Sequence, residues 1–262
     1  MREFTPEYLE HTRRGMWEST AALAPLNLDS RERVLDVGCG TGELSRVLAA
    51  ETPGEVIGVD AATDLLAVAR EDTGLPTVAG DATRLPFKDA VADLVVCQAL
   101  LINLPDPAAA VREFARVSSD LVAAIEPNNA GVEVGSTVDA EERLEREVRE
   151  AYLDGVETDV AMGERVGDLF DAAGVDVVAR RTYRHEKLAE PPYSEAAIES
   201  AARKASGAGI AEHERELRAA GADYDALRAA WREMGRDVVG QMGEERYRRR
   251  EVVPFEVTVG RV

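Results

Sequence analysis

Three glycines at alternate positions, Gly38, Gly40 and Gly42, enclose Cys39 and Thr41 in one short stretch. Glycine tolerates positive φ and has no Cβ, so such a turn lets backbone N–H groups approach a ligand closely. Two carboxylates flank it. Asp36 lies just before the turn, where it can orient the loop or a ligand ammonium. Asp60 follows Gly42 by 18 residues, a spacing that suits an acid accepting both hydroxyls of a ribose. The chemistry indicated is the holding of a nucleoside-containing cofactor. A dinucleotide fingerprint, G-x-G-x-x-G, would need glycine at position 43, where Glu43 stands. That third glycine serves close packing beneath a pyrophosphate, and a cofactor without phosphate does not need it. An NAD-dependent oxidoreductase is therefore the disfavoured alternative.

Strands and helices must position these groups. Arg33 to Gly38 is an apolar run that ends in the glycines, as a buried parallel strand would, and Leu44, Val47 and Leu48 then recur at helical spacing. A second strand is expected over Glu55–Asp60 with a helix over Asp64–Arg70, a third strand over Pro76–Ala79, and a fourth over Asp93–Cys97. Asp106-Pro107 reads as N-cap and first-turn proline of a helix through Val111, Phe114 and Val117; Asp120–Glu126 gives a fifth strand. Alternating strands and helices at this pitch imply βαβ units and a parallel sheet. The second half is more helical. Leu144, Val148 and Tyr152 share one helix face, and Leu227, Trp231, Met234, Val238 and Met242 form a stripe on another. Val175–Tyr183 and the C-terminal residues from Val252 are expected as strands, with residues 186–251 between them as a helical insertion.

Val34-Leu-Asp-Val-Gly-Cys-Gly-Thr-Gly-Glu-Leu44 resembles motif I of the class I S-adenosylmethionine (SAM)-dependent methyltransferases. Further pieces follow in order. Asp60 resembles the acid of motif II, Gly80-Asp81-Ala82 with Leu85-Pro86-Phe87 resembles motif III, and Asp93 to Leu101 resembles motif IV. The similarity covers about residues 30–130 and is greatest to the type 11, small-molecule branch, whose archaeal members the flank after Glu186 resembles.

The resemblance implies a Rossmann-like αβα sandwich. Its seven-stranded, mostly parallel sheet would have the order 3-2-1-4-5-7-6, with the last strand antiparallel. It also implies SAM as cofactor. Asp36, Gly38, Cys39, Gly40, Thr41, Gly42 and Ala61 would bind it, with Asp60 on its ribose and Asp81 and Ala82 on its adenine. Gln98 would lie against the methionyl moiety. Residues 1–30 are expected to fold over the cofactor, 31–185 to form the core, 186–251 to act as a cap, and 252–262 to return to the sheet. The acceptor would be an O, N or C nucleophile on a small molecule; a non-catalytic SAM-binding regulator is a further alternative.

With 50 Asp plus Glu against 31 Lys plus Arg, the formal net charge is −19. Such a surface repels nucleic-acid phosphates and anionic lipid, so DNA, RNA and membrane partners are disfavoured. Arg246 to Arg250, broken by Tyr247, is a local cationic run, but Glu244, Glu245 and Glu251 flank it. Only Lys88, Lys187 and Lys204 are lysines, a balance that resembles proteins of salt-accumulating archaea, where salt screens self-repulsion. No run of eighteen apolar residues occurs, and Met1 to Leu9 lack an apolar signal core. Cys39 and Cys97 are too few for a disulfide scaffold, so a reducing cytoplasm fits. His11, His185 and His213 share no ligand spacing, and no metal is expected. Glu126-Pro127-Asn128-Asn129 could orient a substrate or form a solvated loop. Tyr8, Met16 and Trp17 could cover the cofactor or pack as a plain helix, and no catalytic residue is assigned.

Overall fold

Four successive side chains of Arg33–Val37, from Val34 onward, are buried. Neighbouring residues of a strand point to opposite faces, so this strand (β1) is covered on both sides, as the centre of an α/β sheet must be. A computed structural model of the protein describes residues 16–17, 19–156 and 160–262, and divides into two units.

The first unit takes in the chain to Asn128, Met162–Tyr183 and Pro254–Val262. In it β1 pairs in parallel with β2 (Glu55–Asp60) and β4 (Ala92–Gln98). Strand β2 pairs with β3 (Thr77–Ala79), and β4 with β5 (Ser118–Pro127). Helices α1 (Glu43–Glu51), α2 (Thr63–Thr73) and α3 (Pro107–Val117) supply the crossovers, and α5 (Val166–Ala172) follows later in the chain. Asp106 caps α3 as expected, accepting the Ala109 N–H at 2.9 Å. Phe114 and Phe170 are fully buried in one core cluster with Val95, Val122 and Leu101.

The C-terminal strand β8 (Arg249–Arg261) runs antiparallel to β5, from Leu121↔Arg261 to Pro127↔Phe255, and β7 (Asp176–Ala189) pairs with β8. That is the expected 5-7-6 arrangement of the last strands. One strand is additional. Strand β6 (Glu133–Ser136) pairs antiparallel with the first residues of β8, so the sheet has eight strands and the hydrogen-bonded path β3-β2-β1-β4-β5-β8-β6. Four residues with a single large apolar side chain, Val134, are too short to show a strand period.

The second unit joins Asn129–Ala161 to Arg184–Val253. The first of these segments had been expected in the core. It carries β6 and α4 (Asp139–Gly155), and α4 buries Leu144 and Val148 within this unit. Helices α6 (Glu195–Ser206), α7 (Ala208–Ala211), α8 (Glu214–Ala219) and α9 (Tyr224–Gly243) complete it. The predicted stripe on α9 is the packed face: Leu227, Met234 and Val238 are buried, with Trp231 and Met242 half-buried beside them.

Candidate active site

Parallel register decides which candidates can meet. Val37 pairs with both Val59 and Cys97, Asp60 with Ala79, and Gln98 with Ile125. The glycine turn, Asp60, Ala61, Asp81, Gln98 and Glu126 therefore all leave the carboxyl end of one sheet, where open α/β folds place their ligands.

The turn is built by its backbone. Gly38, Gly40 and Gly42 have φ of 74°, 55° and 91°, in the left-handed region that disfavours L side chains. A Cβ on Gly38 would stand 2.8 Å from Leu100 Cδ1, and one on Gly42 would stand 2.9 Å from Thr73 Cγ2. The N–H groups of Gly38 and Cys39 both donate to Val59 O, at 2.7 and 3.1 Å, so the turn is fastened to β2.

The two flanking acids act differently. Asp36 is almost fully buried and accepts Ser45 Oγ at 2.6 Å, which ties β1 to α1 beneath the turn. Asp60 accepts Gly40 N–H on Oδ2 and Ala62 N–H on Oδ1, both at 2.9 Å. A carboxylate oxygen has two acceptor sites, so each Asp60 oxygen keeps one for a hydroxyl. Ala61 is exposed in the bend between β2 and α2. Glu43 opens α1, and its carboxylate accepts Thr41 Oγ1 at 2.7 and 2.9 Å. A negative charge at that helix N-terminus opposes a pyrophosphate, which favours a phosphate-free cofactor.

Asp81 is exposed and accepts both the N–H and the Oγ1 of Thr83 on Oδ1, at 2.8 and 2.7 Å. These bonds hold its carboxyl below the usual carboxylate range. Ala82 beside it is buried in the main core cluster. Gln98, also buried, accepts Trp17 Nε1–H at 3.3 Å and places its own amide 2.9 Å from Met16 Sδ. Trp17 stacks on Tyr183 with ring centroids 4.6 Å apart, and its backbone N–H donates to the Tyr183 hydroxyl at 2.9 Å. Met16 and Trp17 thus reach the end of β4, whereas Tyr8 and His11 lie outside the described residues. Tyr183 was missed in the sequence, where it reads only as the end of a strand.

Glu126 is neither a substrate group at the surface nor part of a solvated loop. It is fully buried, and its carboxylate accepts the N–H groups of Leu100, Leu101 and Ile102 at 3.0, 2.9 and 3.3 Å. It shapes the loop after β4, the same loop whose Leu100 faces Gly38. Both cysteines are buried with free thiols. Burial pushes both thiols up, and Asp36 and Asp60 beside Cys39, and Glu126 beside Cys97, push them further. Among the described residues no cluster of His, Cys, Asp and Glu suits a metal ion, and no helix is long and apolar enough to cross a membrane. The arginine run is not a cationic patch: Arg246 pairs with Glu244, Arg248 with Glu190, Arg249 with Glu145 and Arg250 with Glu186.

Comparison with known proteins bears on the same residues. Residues 35–120 match the family model described as a methyltransferase domain. The demethylmenaquinone methyltransferase of Lactiplantibacillus plantarum is 42% identical over 36% of this chain and 44% of its own. That of Mycolicibacterium gilvum is 41% identical over 36% of this chain and 40% of its own. The matches thus span less than half of those relatives. A SAM-dependent methyltransferase from Aquifex aeolicus superposes with a TM-score of 0.51 at 19% identity, covering 72% of this chain and 93% of that one. The YcgJ protein of Bacillus subtilis does so with 0.50 at 16%, covering 91% and 96%; both show a shared fold. The glycine turn of β1, the acid ending β2 and the strand leading to Gln98 all fall inside the stretch, residues 35–120, that matches a methyltransferase domain.

Proposed function

We propose that the chain transfers the methyl group of SAM to an O, N or C nucleophile of a small molecule. The observation that carries this is the turn of three left-handed glycines clamped by Asp60 through the Gly40 N–H, with Glu43 where a dinucleotide would bring phosphate. Asp60, with Ala61 beside it, would hold the ribose hydroxyls, and Asp81 with Ala82 the adenine edge. Asp36, the turn from Gly38 through Cys39, Gly40 and Thr41 to Gly42, and Gln98 would surround the methionyl part. SAM supplies an electrophilic methyl on a sulfonium, so the chain's own task is to align the acceptor and exclude water. Buried Gln98 and Trp17, with no charge between them, suit that task. The same proposal has residues 186–251 acting as a cap that selects the acceptor. It leaves out nucleic acid and anionic membrane on the net charge of −19, and places the protein in a reducing, salt-rich cytoplasm. Because the relatives are named for demethylmenaquinone, a quinol is the first acceptor class to try.

Titration calorimetry in molar KCl tests the cofactor. SAM and S-adenosylhomocysteine should bind, and Asp60→Ala should weaken both by about a hundredfold, the worth of charge-assisted bonds to the two hydroxyls. No binding by the unaltered protein sinks the reading. Binding without turnover on any quinol or cell extract would replace it with the non-catalytic regulator.

A further inference from the structure

The second unit carries an open cavity of about 370 Å³ among α4, α6, α7 and α9. That is the size of a small-molecule pocket. Its walls are of two kinds. Tyr152, His213 and Trp231 give it aromatic sides, with the Tyr152 and His213 rings 4.8 Å apart and tilted by 57°. The remaining polar wall is mostly neutralised from within: Lys204 engages Glu141 and Glu145, and Arg203 meets Glu212 at 2.6 Å.

Arg149 differs from these. It is half-buried and donates through Nη1 to Val132 O at 2.8 Å, and among the described residues no carboxylate lies within 4 Å of it. A guanidinium has five N–H donors in a planar fork, so most of this one stays unused. Burial pulls its pKa down, and the more distant Glu145 and Glu251 offset that only in part. A partly desolvated cation with spare donors at an aromatic cavity has the chemistry of a carboxylate receptor.

We propose that this cavity is a second ligand site, formed by the helical unit alone, that takes a planar aromatic carboxylate. Arg149 grips the carboxylate, and Tyr152 and Trp231 flank the ring. One unpaired guanidinium matches one negative charge. The net charge of the chain does not forbid an anion, because exposed charges beyond about 10 Å are largely screened at 0.1 M salt. The site does not depend on the cofactor reading.

Trp17 and Trp231 are the two tryptophans of the chain, so Trp17→Phe leaves Trp231 as the reporter. Titration of that protein with 2-naphthoate should quench its fluorescence, and neutral 2-naphthamide should bind about tenfold or more weakly, as loss of a charged hydrogen bond predicts. Adding Arg149→Gln should erase the preference for the acid while leaving the amide unchanged. A Cβ on Gly209, which lines the cavity, meets nothing within 4 Å, so Gly209→Phe can fill the space and should block both probes. Circular dichroism checks that each variant is folded, and if Arg149→Gln is not, the acid-to-amide ratio of the unaltered site and Gly209→Phe still decide. Equal binding of acid and amide, no quenching by the acid, or full binding by Gly209→Phe overturns the proposal.

Discussion

Two regions of the chain draw carboxylates away from water and hold them by opposite means: Asp60 is half-buried, and Glu126, Glu141 and Glu145 are buried. At the end of the parallel sheet, Asp60 and Glu126 are held by backbone N–H groups: Gly40 and Ala62 for the one, Leu100, Leu101 and Ile102 for the other. In the helical unit, Glu141 and Glu145 are held by side-chain cations, Lys204 and Arg249, with the Tyr247 hydroxyl 2.9 Å from Glu141. An acid bonded to backbone fixes the path of a loop and so shapes a ligand site. An acid bonded to lysine or arginine joins segments far apart in sequence and so holds a tertiary arrangement. The first region is expected to yield binding defects when altered, and the second stability defects.

The largest expected effect lies in the helical unit. Lys204→Met strips one partner from Glu141 and Glu145, and breaking a buried pair this way costs about 3–5 kcal/mol. Denaturant unfolding should show that loss, with far less for Lys204→Met combined with Glu145→Leu; equal loss in both would deny the pairing. Burial raises the Glu145 carboxyl, but Lys204 and Arg249 outweigh it and hold the group down to about 2, from an ordinary 4.5. A depressed folded value means that the pair stabilises above the ordinary value, and that this contribution fades as pH falls from there towards 2. An acid titration of stability should lose that component in Glu145→Gln.

A smaller effect is expected at the sheet end. Gly42→Ala puts a Cβ at φ 91°, 2.9 Å from Thr73 Cγ2, for a cost of about 1–2 kcal/mol in the left-handed region together with weaker S-adenosylhomocysteine binding. Gly209→Ala is the control, since its Cβ enters open space and alanine favours a helix by up to about 1 kcal/mol. If melting temperatures show both substitutions to be equal, the turn is not strained. The smallest effect belongs to exposed Asp81. Asp81→Asn keeps an acceptor towards Thr83, so affinity for S-adenosylhomocysteine should fall only several-fold, by about 1 kcal/mol. A hundredfold loss there would make Asp81, not Asp60, the main anchor.

Much of the first region could be read from the sequence because its logic is local. Glycines without side chains, an acid one strand later and a proline-led helix each leave a mark within a few residues. The order of the last strands came from the resemblance and holds. What the sequence hid was contact between distant residues: Glu126 beneath Leu100, Trp17 on Tyr183, and Lys204 between two glutamates of α4. A glutamate after a strand looks the same whether it meets water or three N–H groups. Strand β6 was invisible for another reason, since half of its four residues are exposed and it owes its place to β8.

Strand β8 also bears on how the protein is made. The segment that covers the edge of β5, Phe255–Arg261, follows all of the helical unit in the chain. During synthesis the parallel strands leave the ribosome first, with the N–H and C=O groups of β5 bare on that side, and they stay so while the helices are translated. A ribosome stalled before Pro254 would therefore display an open sheet edge, a ready template for pairing with another nascent copy.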